Sequence, residues 1–149
     1  MAKTKYTRKK AEDYTLSEEV ATEQIIDLLE YYDIDIEQIG DADEKAAKGL
    51  ETVLDTLCRH IRTGKLTVDR GADDKLVVTQ TLTNGETLTY SEISAKSKLA
   101  MEKYNNDSNY SRIYAFMGSL SGVGKAGIEK LSAKDLGVVE VLGAVFSNA

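Results

Sequence analysis

Three stretches of this chain carry residues whose types and spacing could do chemistry. The first is GSLSGVGKAG, Gly118 to Gly127, where glycines and a lysine follow an apolar run. A phosphate-cradling loop of the Walker type needs a glycine, four residues, then Gly-Lys and a hydroxyl residue, and it follows a strand. Here Gly118 and Gly124 are separated by five residues, and Ala126 stands where the hydroxyl should bind magnesium. The preceding SRIYAFM reads as helix. The stretch is therefore expected to be a connector. Gly122 ends one helix and Val123 to Gly127 turn the chain, with glycine supplying positive φ or close backbone approach.

The second is acidic. Asp33, Asp35, Glu37 and Glu44 stand at positions 1, 3, 5 and 12 of a possible calcium loop between helices. Gln38 occupies position 6, where the sharp turn wants glycine, and Gly40 falls at position 8. The alternative is an acidic interhelical loop whose carboxylates cap the next helix. The third is Cys58 with His60, the only cysteine and the only histidine. Residues two apart on a helix point to different faces, so they form no dyad. They also lack metal-ligand spacing. His60 suits a half-exposed place near a helix C-terminus, and Cys58 a small core position. No catalytic constellation is readable, so the expectation is a non-enzymatic protein without a cofactor.

The elements that must position these residues are legible from periodicity. Thr15 and Glu18 have capping-box spacing, and Ala21, Ile25, Leu28, Leu29 and Tyr32 then recur on one helical face. A second helix from about Asp43 carries Ala47, Leu50, Leu54, Leu57 and Ile61, with Val53 beside them, and closes at Gly64. At Lys65 the pattern changes. KLTVDR and KLVVTQTL read as strands around the turn GADD, and ETLTY as a third. Asn84-Gly85 predicts a two-residue hairpin turn with positive φ at both positions. Helices return in SAKSKLAMEKY, in Ser108 to Leu120 and from the N-cap Ser132 onward, with Asp135 in the first turn. The expected fold is α+β: a basic, disordered arm (1–14), a helical hairpin (15–64), and a three-stranded antiparallel meander with closing helices packed on the sheet (65–149).

Charge and composition narrow the function. The first ten residues hold five basic side chains and no acid, while the remaining chain holds 14 basic and 25 acidic residues. An acidic body disfavours nucleic acid as the main partner, because phosphates need a basic face. No apolar run has the ~20 residues of a membrane span. A single cysteine permits no internal disulfide, which fits a cytosolic protein.

The last helix is apolar most of the way round: Val138, Val139, Val141, Leu142, Val145 and Phe146. Such a helix is buried on two sides or meets a partner. The helix before it is similarly broad, with Phe116 off its main face. Two readings stand. Either these helices cover the meander and each other, or Tyr114, Phe116, Met117, Leu120, Val139, Leu142 and Phe146 form a partner-binding surface.

Leu120-Ser121-Gly122, Ile128, Leu131-Ser132, Asp135, Val138-Val139, Val141-Leu142 and Phe146 together resemble tail assembly chaperones of long-tailed bacteriophages. The order of elements from Lys65 to Ala149 is similar as well, whereas the N-terminal hairpin departs from that pattern. The resemblance implies a non-enzymatic protein of the infected bacterial cytoplasm. It would bind the apolar tape-measure protein before the tail tube forms around it, and leave as the tube grows. It also implies a second, longer product where frameshifting occurs. A structural virion component, an inhibitor of a host protein, and self-association into a homo-oligomer stay open.

Overall fold

The computed structural model describes residues 14–37, 44–104 and 106–149. The basic arm lies outside them except for Tyr14, and so does the middle of the acidic loop with Gln38 and Gly40. Helices α1 (Glu18–Tyr31) and α2 (Glu44–Arg62) are followed by strands β1 (Leu66–Arg70), β2 (Leu76–Thr81) and β3 (Thr87–Tyr90). Helices α3 (Ala95–Glu102), α4 (Asn109–Ser121), α5 (Gly124–Glu129) and α6 (Ala133–Phe146) complete the described chain. The fold is α+β, as the periodicity predicts.

The strands form one antiparallel sheet in the order β1-β2-β3. Val78 pairs with Val68 on one side and Tyr90 on the other, and Gln80 with Leu66 and Leu88. Side chains alternate across a sheet, so these residues share one face with Leu76, and that face is buried. The other face carries Thr67, Thr81, Thr87 and Thr89, all exposed. β-Branched threonine fits a pleated surface that is wet on one side.

Both hairpins use the same three-residue loop. Gly71 N–H donates to Lys75 O at 2.8 Å, Asp74 N–H to Gly71 O at 2.9 Å, and Lys75 N–H to the Asp73 carboxylate at 3.1 Å. In the second loop Leu82 N–H donates to Glu86 O at 2.8 Å, Gly85 N–H to Leu82 O at 2.9 Å, and Glu86 N–H to Asn84 Oδ1 at 2.9 Å. The third loop residue is left-handed in each, with φ of 61° at Asp74 and 89° at Gly85. This corrects the two-residue turn expected at Asn84-Gly85: only Gly85 has positive φ, and Asn84 acts through its side chain. Asp74 bears a left-handed strain that Gly85 escapes. Asp74→Gly is expected to raise stability by about 0.5 kcal/mol, read as a higher urea midpoint at unchanged slope.

Helix ends follow their caps. Ser17 Oγ accepts from Val20 N–H, so Ser17 rather than Thr15 opens α1. Thr15 instead gives both its N–H and its hydroxyl to Arg62 O, at 2.7 and 3.1 Å. Arg62 returns an Nε bond to Leu16 O at 3.2 Å and lies over the Tyr14 ring at 3.9 Å. Those contacts tie the entry of α1 to the exit of α2. Ser108 and Ser132 cap α4 and α6, and Gly122 closes α4 with φ of 80°.

One hydrophobic cluster runs through both the helical hairpin and the C-terminal unit. Ala21, Leu28, Leu57 and Ile61 reach into it from the hairpin. Helix α6 packs against α2 on one side and α4 on another, while α1 and α2 also meet β1. At the periphery Arg70 pairs with Asp27 through two bonds of 2.7 and 3.2 Å, joining β1 to α1. The Tyr32 ring meets Phe146 edge-on at 5.6 Å.

Candidate functional site

The stretch GSLSGVGKAG is not a bare connector. Gly118 lies inside α4, Gly122 is its left-handed cap, and Gly124 to Glu129 form the short helix α5. A Cβ on Gly118 would sit 2.3 Å from the Gly124 carbonyl carbon, 2.5 Å from its oxygen and 2.6 Å from Lys125 N. Close approach of two backbones therefore requires this glycine. Lys125 Nζ is tied to Glu129 at 2.8 Å and lies 5.0 Å from the centre of the Tyr104 ring. The segment that precedes it is helix α4, where a phosphate loop would need a strand.

Of the acidic loop, Asp33, Asp35 and Glu37 belong to the described residues, and Asp33 is left-handed with φ of 53°. The calcium reading depends on positions 38–43, which lie outside them. Among the described residues no group of three or more His, Cys, Asp or Glu side chains is arranged to hold a metal. Cys58 and His60 are both half-buried on α2, and Cys58 packs against the core.

The seven residues expected to form a partner surface do not form one. Phe116, Met117, Leu120, Val139, Leu142 and Phe146 are all buried, between 0% and 3% exposed, and only Tyr114 reaches the surface, half-buried. The cause is the position of α6. Its apolar excess serves two neighbours, α2 and α4, so little of its girth remains for solvent. A Cβ on Gly143 would lie 2.7 Å from Ile113 Cγ2, which marks how closely α4 and α6 approach. These side chains hold the unit together.

A buried polar network also belongs to the architecture. Tyr90 donates its hydroxyl to Gln80 Oε1 at 2.7 Å, and Gln80 Nε2 donates to Asp135 O at 3.0 Å. The Asp135 carboxylate accepts from Thr83 N–H and Thr83 Oγ1, both at 3.0 Å, and from Ser132 Oγ at 2.9 Å. It fastens the second hairpin to the first turn of α6. Burial, then the nearby Asp135 carboxylate, pushes the Tyr90 phenol well above its ordinary value, so it stays a donor. Tyr90→Phe leaves Gln80 Oε1 buried without a partner, an expected loss of about 1–3 kcal/mol by denaturant titration.

One groove, of about 390 Å³, opens among α3, α4 and α6. Met101, Ile113 and Ala144 give it apolar walls, and Tyr110, Arg112 and Glu140 supply its polar and aromatic groups. Tyr110 is 59% exposed, the most exposed large apolar side chain among the described residues. Its ring lies 6.1 Å from that of Tyr114, whose hydroxyl donates to Glu140 Oε2 at 3.3 Å. Burial first, then Glu140, raises the Tyr114 phenol above its ordinary value. Arg112 stands apart. Its Nε is buried without a hydrogen-bond partner, and its side chain makes no ion pair among the described residues. An unmet buried donor of this kind costs about 1–3 kcal/mol, more when charged.

Neither Tyr110 nor Arg112 belongs to the surface predicted from the sequence. Tyr110 falls on the apolar stripe of its helix. The signal that separates it is position, because it sits in the first turn of α4.

Comparison of the chain with protein-family models, with curated proteins and with solved structures finds no match. Among the described residues no helix is long and apolar enough to cross a membrane.

Proposed function

We propose that this chain is a non-enzymatic phage tail assembly chaperone that binds the tape-measure protein and keeps it soluble during tail morphogenesis. The observation that carries this reading is the exposed Tyr110 groove, which lies wholly within the stretch that resembles such chaperones. Aromatic and methionine side chains suit a site that must accept apolar segments of varied shape. The residues that carry the resemblance support the same unit. Leu120, Val138, Val139, Leu142 and Phe146 pack its core, Gly122 ends α4, Ser132 caps α6, and Asp135 in the first turn of α6 holds Thr83. The net charge of −6 favours solubility of a complex with an apolar client.

Co-expression tests the reading. The tape-measure protein of the same phage, produced alone, is expected in the insoluble fraction. With this chain present it is expected in the soluble fraction, and the two should elute together on gel filtration. A client that stays insoluble beside abundant soluble chain would refute the proposal.

A further inference from the structure

We propose that Arg112 is the specificity determinant of the α3–α4–α6 groove, and that it receives a carboxylate carried by an apolar helical segment of the client. The inference rests on the chaperone reading and names the chemistry of the segment that the groove accepts. Three observations converge on it. The groove walls given by Met101, Ile113 and Ala144 suit an apolar side chain. Tyr110 stands exposed beside them. Arg112 offers a positive charge whose Nε is desolvated and unmet, with no carboxylate in ion-pair reach among the described residues.

Charge complementarity selects the occupant. Arginine binds carboxylates through paired, planar hydrogen bonds, and such bonds strengthen where water is excluded. The groove also contains Glu140, but its carboxylate takes the Tyr114 hydroxyl and is not in ion-pair contact with Arg112. A purely apolar segment would fill the walls and leave the guanidinium buried and unpaired, which disfavours it. An Asp or Glu within one helical turn of the docked apolar residue satisfies both demands. Arg62 and Arg70 show the contrast: Arg62 lies over Tyr14 and bonds Leu16 O, and Arg70 holds Asp27.

The test uses the full chain with a photo-crosslinking p-benzoylphenylalanine in place of Tyr110, co-expressed with the tape-measure protein. Crosslinks are expected on client segments that carry an Asp or Glu within a turn of the attached residue. In parallel, Arg112→Met is expected to weaken client binding tenfold or more while leaving the melting temperature unchanged or higher. A merely structural arginine would show the reverse pattern. Arg112→Glu is expected to lose binding as well, and to regain it with a client whose matching acid is changed to arginine. Circular dichroism confirms that each variant is folded. If the proteins still co-purify but no crosslink forms at position 110, or if Arg112→Met binds unchanged, the Arg112 assignment falls and the chaperone reading survives. If the unsubstituted chain does not co-purify with the tape-measure protein at all, both fall.

Discussion

Gly118→Ala is expected to destabilise the protein by about 3 kcal/mol or more, a fall in melting temperature of roughly 6–12 °C at this chain length. On propensity alone the change should help, since alanine is favoured over glycine inside a helix by about 1 kcal/mol. Space decides otherwise. The new methyl group would meet the Gly124 carbonyl at 2.3–2.5 Å and Lys125 N at 2.6 Å, all backbone atoms that no rotamer change can move away. Either α4 and α5 separate or the turn at Gly122 is rebuilt. Gly137→Ala supplies the control: it too lies inside a helix, but its added Cβ meets nothing within 4 Å. That variant should gain stability by about 0.5–1 kcal/mol. Thermal melts of both settle the matter. Equal behaviour would show that α4 and α5 are not held in backbone contact.

Phe116→Ala carries the second large effect, an expected loss of about 3–5 kcal/mol. Phe116 is 1% exposed and lies in the same cluster as Met117, Leu142 and Phe146. The loss is a large share of the ~5–15 kcal/mol that holds a typical domain together. Charged replacements at Phe116 or Val139 should unfold the chain outright. Failure of such variants to bind a partner would therefore report loss of fold, not loss of contact. Tyr110→Ser separates the two effects, because Tyr110 is mostly exposed: its urea midpoint should match the parent while client binding falls. A Phe116→Ala protein as stable as the parent would contradict the packing described above.

Much of the fold was readable because local rules and tertiary packing agree. Leu66 and Val68, and Leu88 and Tyr90, alternate with polar residues and do face inward, as do Leu76 and Val78 on either side of Val77. Ser108, Gly122 and Ser132 mark helix ends through their side chains or their left-handed backbone. Local rules failed where a distant group intervened. Thr15 has capping spacing, but Arg62 O, 47 positions away, takes its hydroxyl. Asn84-Gly85 is a turn dipeptide, yet Glu86 N–H donates to Asn84 Oδ1 and the loop keeps one residue more. The site was the hardest part to read. An apolar helix looks the same in sequence whether it meets the core or a partner, and only the placement of α6 between α2 and α4 decides it. Arg112 was invisible for a related reason. Periodicity says nothing about whether a guanidinium has a carboxylate nearby.

The most direct test of the central claim is affinity capture of the tagged full chain from infected cells during tail assembly, with mass spectrometry of what is captured and of purified virions. The account predicts the tape-measure protein in the capture and this chain absent from finished particles. Recovery of the chain in the virion, or capture of host proteins or mature tail and head components in place of the tape-measure protein, would contradict it.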